Sequence, residues 1–154
     1  MFAGIFAVFA ALIGAIGVNR AANLQVNAAF ATAKYEEEKK RKAGALVLAS
    51  DLFAVRTRLV LPQNALKKRS EANWNPIEVP IYLNDFEVLS TQPADILEEI
   101  GIIRGDIGRI NAIAAGPISI KPEQVEGALR IFEEFKNDCI STEKKLKEIA
   151  TKTS

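Results

Sequence analysis

The sequence contains no histidine and only one cysteine, Cys139. Without an imidazole, the Ser-His-Asp and Cys-His nucleophile systems lack their base, and the Glu-x-x-His pairs of di-iron bundles cannot form. A single cysteine supplies too few ligands for a zinc site and cannot close an internal disulfide. We therefore expect no catalytic residue, no metal site and no cofactor, and Cys139 itself is typical of an inert residue on a helix face.

Phosphate-binding motifs and an excess of one charge are also missing. The sequence has no G-x-x-x-x-G-K-[ST] loop and no G-x-G-x-x-G turn, so no small-molecule substrate is indicated. Its 20 basic and 19 acidic residues give a net charge of +1, which argues against nucleic acid as a partner. Four carboxylates share one predicted helix, where they are typical of its solvated face: Asp95, Glu98, Glu99 and Asp106. The composition predicts a protein that is not an enzyme.

The N-terminal run, residues 1–18, contains no charged residue, no proline and no strongly polar side chain. As a helix it would extend about 27 Å, close to the roughly 30 Å of a bilayer's hydrocarbon core. A cleaved signal peptide would carry a basic residue before the apolar run, and a buried helix of a globular domain would show a polar face. We expect instead a single transmembrane anchor, which makes the lipid bilayer a partner of the protein.

The charges that flank this run predict its orientation. No lysine or arginine precedes the run, whereas Arg20, Lys34 and the basic residues 39–42 follow it. Because cytoplasmic flanks carry the excess of lysine and arginine, we expect the N-terminus outside the cell. The predicted location is the inner (cytoplasmic) membrane, with the C-terminal domain in the cytoplasm.

Small residues recur every four positions along the predicted anchor. Ala3, Ala7, Ala11 and Ala15 form this row, and Gly14 widens it. Small residues at such a spacing let two membrane helices approach closely, which favours self-association through the anchor. The alternative is that alanine and glycine are simply common in transmembrane helices.

Beyond the anchor, apolar spacings predict helices. Residues 19–44 form a charged juxtamembrane stalk, and Gly44 marks a hinge before the domain at 45–150. Apolar residues spaced by four and three predict three main helices around one core. The first carries Leu48, Leu52, Val55 and Leu59; the second carries Ile96, Ile100, Ile103, Ile107, Ile110 and Ala114; the third begins at Pro122 and carries Val125, Leu129, Phe132, Cys139, Leu146 and Ile149.

The fold class that follows is all-α, an N-terminal transmembrane helix that continues into an antiparallel three-helix bundle. Residues 62–92, with prolines at positions 62, 76 and 80, form an irregular segment within the bundle domain. Trp74, the single tryptophan, lies in this segment. Its large apolar area favours docking on the protein's own core, and contact with a partner is the alternative.

A glycine stripe accompanies the isoleucines of the second main helix. Gly101, Gly105 and Gly108 each cost about 1 kcal/mol relative to alanine inside a helix. A close crossing with another helix would offset this cost. The competing interpretation is local fraying or a kink near Gly105.

The order of elements resembles a loose group of small, uncharacterised bacterial single-pass membrane proteins. These have an N-terminal anchor, a charged helical stalk, a Pro-x-Tyr-x-Asn stretch and a closing helical pair. Here the stretch is Pro80-Ile81-Tyr82-Leu83-Asn84, and the helix after Pro93 carries the rest of the likeness. No activity is assigned to the group, so the resemblance implies only a helical cytoplasmic domain and a membrane location.

Two functions are consistent with these features. The first is a membrane-anchored helical scaffold or accessory subunit, which acts through helix–helix contacts with a protein partner or in a homo-oligomer. The second is a membrane effector, a toxin or pore-forming oligomer, which acts through its transmembrane helix. The small-residue row, the glycine stripe and the missing catalytic motifs favour the scaffold.

Overall fold

The computed structural model describes residues 2–60, 63–64, 66, 76–115 and 122–152, without the side chains of 2–17, 19, 114–115 and 122–123. The regular elements in these ranges are all helices, and the ranges contain no β-strand, which confirms the all-α prediction. The elements in chain order are α1 (Phe2–Arg58), a 3-10 helix (Ile81–Asn84), α2 (Phe86–Ser90), α3 (Ala94–Ala115) and α4 (Pro122–Thr151). The chain divides into two compact units, residues 1–39 and residues 40–154.

The first unit consists of the first part of α1. Every side chain from Arg20 to Glu37 is exposed, including five large apolar or aromatic residues in or next to this range: Val18, Leu24, Val26, Phe30 and Tyr35. The backbone of the predicted anchor is helical from Phe2 onward, but its side chains up to Gly17 lie outside the described residues. In the part that is described, no helix is long and apolar enough to cross a membrane, so the anchor stays a prediction.

The core of the second unit lies where the predicted apolar rows meet. All four leucine and valine positions of the first predicted row, which runs along α1 to Leu59, are buried, and so are the five isoleucines of the predicted row on α3. Helix α4 contributes Phe132, Phe135, Cys139 and Leu146. Leu46, Phe53 and Val60, which flank the buried row in the sequence, are instead about half exposed. They recur every seven residues, which places them on a side of the helix that faces away from the core.

Residues 82–92 carry the chain back along α1. The backbone N–H of Tyr82 donates a 3.1 Å hydrogen bond to Asp51 Oδ2. The side-chain Nε2 of Gln92 donates a 3.1 Å hydrogen bond to the carbonyl of Arg41, ten residues earlier on α1. Helix α3 therefore starts near the Arg41 end and runs in the same direction as α1.

Helix α4 runs opposite to both neighbours. Arg56 on α1 donates a hydrogen bond to Glu143 on α4. Gln63, which follows Arg56 in the sequence, donates a hydrogen bond to Glu133, which precedes Glu143 on α4. Only residues 116–121 separate α3 from α4, and a connection of this length joins antiparallel neighbours. The expected antiparallel packing is thus observed for α4. Helices α1 and α3 are instead parallel, because residues 82–92 bring the chain back to the level of Arg41 before α3 begins.

A polar clamp fixes the extended residues before the 3-10 helix. Asn111 Nδ2 on α3 donates a 2.9 Å hydrogen bond to the carbonyl of Ile77, and the N–H of Ile77 donates at 2.8 Å to Asn111 Oδ1. The side chain of Ile77 is buried in the core. The segment is therefore held by both its backbone and its side chain.

Gly44 is a close-packing position and not the predicted hinge. It lies inside unbroken α1 and is buried. A Cβ atom at this position would lie 2.9 Å from Gln92 Nε2, 3.2 Å from Thr91 Oγ1 and 3.3 Å from Val88 Cγ1. Glycine is needed here because residues 88–92 approach the α1 backbone closely.

We expect Gly44→Ala to leave the free energy of unfolding at or below the wild-type value. The gain in helix propensity, about 1 kcal/mol, is offset because the new methyl group displaces the Gln92 amide from the Arg41 carbonyl. Gly127 on α4 is the matched control, since nothing lies within 4 Å of a Cβ there, and Gly127→Ala should stabilise by up to about 1 kcal/mol. Urea unfolding of the full-length protein in mild detergent, followed by circular dichroism, measures both. Equal stabilisation by the two substitutions would show that residues 88–92 do not pack on Gly44.

Candidate interaction surfaces

The glycine stripe forms an open outer face on α3. Gly101, Gly105 and Gly108 are exposed, and a Cβ atom built on any of them meets nothing within 4 Å. The close crossing predicted for these glycines is therefore not made within the described part of the chain. Helix α3 is also continuous through Gly105, so the fraying predicted as the alternative is not observed. We call these three positions the outer face of α3.

Apolar side chains border the outer face of α3 on both sides. A helical projection places Leu97 on one side of the three glycines and Ile102 on the other. Both are exposed. The glycines thus leave a strip of exposed helix backbone with Leu97 beside it on one edge and Ile102 on the other, along which another helix can lie.

A shallow acidic cleft lies between α3 and α4. Its volume is about 140 Å³, and it is lined by Glu99, Ile102, Asp138, Ser141 and Thr142. Glu99 accepts a 2.8 Å hydrogen bond from Thr142 Oγ1 and another bond from Lys145 Nζ. Burial raises the pKa of Asp138, as do the neighbouring negative charges, chiefly that of Asp106. The described residues hold no cluster of three or more side chains that could bind a metal ion.

The four carboxylates predicted on the solvated face of this helix therefore differ in role. Asp95 and Glu98 are exposed, as expected. Glu99 is partly buried and bonds across to α4, and Asp106 accepts a 3.0 Å hydrogen bond from Arg109 Nη1. The sequence pattern does not distinguish these cases because the position of α4 decides which carboxylates it covers.

A charged cluster joins α1 to α4. The side chain of Glu143 is only 9% exposed and lies 3.5 Å from Arg56 Nη2, and it also accepts a hydrogen bond from Lys147. The Arg56 guanidinium lies 5.1 Å from the centre of the Phe53 ring, within the range of a cation–π contact. Sequence reasoning missed Glu143, although its position four residues after Cys139 and three before Leu146 places it in the buried row.

An exposed apolar corner lies at the 3-10 helix and α2. Ile81 is 79% exposed and Phe86 is 82% exposed, while Leu83 between them is buried. Asp85 caps α2, since its Oδ1 accepts from the N–H groups of Glu87 and Val88. The Pro80–Asn84 stretch thus uses Leu83 to attach to the core and presents Ile81 to solvent.

The remaining predicted packing positions cannot be placed. The side chains of Ala3, Ala7, Ala11, Gly14 and Ala15 lie outside the described residues, and so does Trp74. For these positions the predictions stand as the sequence made them. The outer face of α3 is therefore the one predicted contact surface whose surroundings the structure shows.

Cys139 is buried in the core, as an inert helix residue should be. Burial raises the pKa of its thiol to about 12, with the nearby negative charge of Asp138 as the next cause. A reactive cysteine requires a thiolate near neutral pH, which a lowered pKa supplies. The thiol of Cys139 has the opposite shift, which argues against a nucleophilic role.

This shift predicts how Cys139 affects stability at alkaline pH. The unfolded thiol ionises above its ordinary value of 9.0, whereas the folded thiol stays protonated to about 12. The free energy of unfolding that the buried Cys139 thiol contributes is therefore fully present below pH 9. Above pH 9 this contribution falls by about 1.4 kcal/mol per pH unit. We expect the stability difference between the wild type and Cys139→Ala to shrink by about 1.4 kcal/mol from pH 8 to pH 10. A constant difference in urea unfolding at the two pH values would contradict the buried, neutral thiol.

Comparison of the chain with protein-family models, with curated proteins and with solved structures finds no match. The resemblance to small single-pass membrane proteins therefore stays an expectation. What the protein does has to be inferred from its own surfaces, of which the outer face of α3 is the best defined.

Proposed function

We propose that this protein is a membrane-anchored helical scaffold or accessory subunit that binds a helix of a protein partner along the outer face of α3. It performs no chemistry of its own. The observation that carries this proposal is the open space above Gly101, Gly105 and Gly108 in an otherwise regular helix. The uncharged run at residues 1–18 supports an anchor in the inner membrane, and the basic residues after it support a cytoplasmic location for the bundle.

The energetic cost of the three glycines supports a contact outside the chain. Each glycine destabilises α3 by about 1 kcal/mol relative to alanine, and alanine would fit at all three positions. Within the described chain, no close approach offsets this cost. A partner helix that lies against the glycine backbone would offset it, because the missing side chains let the two helix axes come closer.

The residues beside the glycines indicate the chemistry of the partner. Leu97 and Ile102 offer apolar contact on the two sides. The exposed Glu98 and Arg104 add one charge of each sign beside them, and Arg109 is paired with Asp106. We therefore expect as the partner element an amphipathic helix with small or apolar residues at a spacing of three and four.

The first test separates contact from fold stability. We expect Gly105→Leu to keep or raise the free energy of unfolding, by up to about 1 kcal/mol, because open space receives the side chain. The same substitution should remove photo-crosslinks to the partner from a crosslinking amino acid that replaces the exposed Leu97 beside the glycines, in intact membranes. Gly127→Leu on α4 is the matched control, with the same open surroundings and no expected effect on the crosslinks.

Two outcomes would contradict a partner on the outer face of α3. One is the absence of adducts from position 97 in the otherwise wild-type protein. The other is an equal loss of adducts for the Leu variants of Gly105 and Gly127, which would indicate a general surface effect and not a helix seated on α3.

The second test separates the scaffold from the membrane effector. We expect cells to keep their membrane potential when the full-length protein is induced, because a scaffold needs the anchor only for attachment. A potential-sensitive dye measures this, and a variant with Arg substitutions at Phe9 and Leu12, which opposes insertion, is the control. Rapid loss of potential that requires an intact run at residues 1–18 would favour the effector instead.

A further inference from the structure

A basic cleft lies between α1 and α4. Its volume is about 500 Å³, and its lining includes three cations, Arg56, Lys144 and Lys147, and two carboxylates, Glu143 and Glu148. Glu143 is almost fully buried and accepts from both Arg56 and Lys147. Lys144 is exposed and forms no ion pair within the described part of the chain. The cleft therefore keeps an excess of positive charge toward solvent.

Apolar surface borders these cations. Ile140 lines the cleft and is 42% exposed. Phe53 on α1 is half exposed, and the centre of its ring lies 5.1 Å from the Arg56 guanidinium. The lysine side chains also offer apolar stems below their ammonium groups. An aromatic ring that enters the cleft would meet apolar surface and nearby cations, which favour a cation–π contact. The cleft therefore suits an aromatic side chain with a carboxylate next to it.

The exposed apolar corner carries this combination of groups. Phe86 and Ile81 are the two most exposed large apolar side chains among the described residues. Glu87 follows Phe86 directly and is exposed, as is Glu78, and Asp85 precedes Phe86. The corner thus presents an aromatic ring and a branched side chain that are surrounded by three acidic residues.

The surroundings of the corner leave it negative. Residues 70–103 contain seven acidic residues and no lysine or arginine, so cations near the corner come from other helices. Two are available on the sides of α1 and α3 that hold this segment. Arg58 lies about two turns after Asp51, and Arg104 lies about two turns before Asn111. Asp51 and the acidic residues of the corner outnumber them.

The cleft and the corner lie on different sides of α1 at the same level. The N–H of Tyr82, in the segment that carries the corner, donates to Asp51. Phe53, beside the cleft, follows Asp51 by two residues, which is about 3 Å along the helix axis and about 200° around it. A chain therefore cannot place its own corner in its own cleft, whereas a neighbouring copy that is shifted sideways can.

We infer that the exposed apolar corner of one copy of this chain binds in the basic cleft of a second copy. Phe86 lies against Ile140 and the cations of the cleft, and Glu87 pairs with Lys144. Because the two contacting surfaces differ, each pair of copies keeps one free corner and one free cleft, and further copies can add until a ring closes or a row forms. Neither surface shares a residue with the outer face of α3, so the inference goes beyond the proposed function and does not depend on it.

The small size of the contact sets its strength. The corner spans residues 78–87, fewer than the roughly 20–30 residues per side of a standard interface. The aromatic anchor and the opposite charges then carry most of the recognition. We therefore expect weak association that decreases further as ionic strength rises, because exposed charges are screened by salt.

Cysteine crosslinking tests which surfaces meet. Two differently tagged full-length copies, one with Ile81→Cys and the other with Ile140→Cys, are expressed together and treated in native membranes with a short bismaleimide. Cys139 is buried and stays in place. We expect the mixed 81–140 product at about tenfold the yield of either like pair, because the contact joins two different surfaces. Equal yields of the three products, a dominant 81–81 product, or capture of a different protein by position 140 would overturn the second copy as the occupant of the cleft.

Charge exchange tests the recognition itself. Glu87→Lys in the Ile81→Cys copy, or Lys144→Glu in the Ile140→Cys copy, should lower the yield of the mixed product about tenfold, because like charges then face each other. The two changes together should return the yield to within about twofold of the starting value, since the pair forms again with reversed signs. Lys152→Glu, at an exposed position near the end of α4, is the control for a change of net charge. Absence of rescue, or an equal loss with Lys152→Glu, would overturn the proposed pairing.

Substitution of the aromatic anchor separates this contact from the α3 partner. Phe86→Asp should lower the yield of the 81–140 product about tenfold, whereas Phe30→Asp, which changes an exposed phenylalanine of the first unit, should leave it within about twofold. Equal effects of the two would overturn the role of Phe86. Photo-crosslinks from position 97 are measured in the same variants. Retained adducts from position 97 without the 81–140 product would refute the contact between copies alone, and the reverse would refute the α3 partner alone.

Discussion

The buried isoleucine row of α3 is the contact on which the second unit depends. Ile96, Ile100, Ile103, Ile107 and Ile110 are at most 1% exposed, and they meet the leucines of α1 and the phenylalanines of α4 in one core. Fully burying such a side chain contributes about 1.5–3 kcal/mol, so this row outweighs any single polar contact in the unit. It also fixes the rotation of α3, and this rotation directs the three glycines outward.

Polar groups then fix how far the packed segments are shifted along one another, which apolar burial alone does not determine. The Asn111 clamp on Ile77 and the Gln92 bond to Arg41 attach residues 77–92 at their two ends. Their hydrogen bonds are directional, whereas apolar burial is not, so they set the level at which the segment lies. Glu143, held by Arg56 and Lys147, does the same between α1 and α4 at the edge of the core.

One helix face of this protein is regular in sequence yet is not covered within the described chain. It is the outer face of α3, where Gly101, Gly105 and Gly108 are exposed and a Cβ atom would meet nothing within 4 Å. A plain solvated helix would carry charged side chains on such a face.

The sequence by itself determined the helical class, the bounds of α3 and α4 to within a residue or two, and most of the buried positions, because apolar spacing, prolines and glycines are local signals. On α4, Val125, Leu129 and Ile149 of the predicted row are only partly buried. It did not reveal that α1 and α3 run parallel, that Gly44 is packed, or that Glu99 and Glu143 bond across helices. These features depend on which elements meet in space. Residues 82–92 return along α1 because Leu83, Ile77 and Gln92 find partners on other helices, and such long-range contacts leave no periodic trace in the sequence. The outer face of α3 could be named from its glycines, but only the tertiary structure decided that nothing in the described chain covers it.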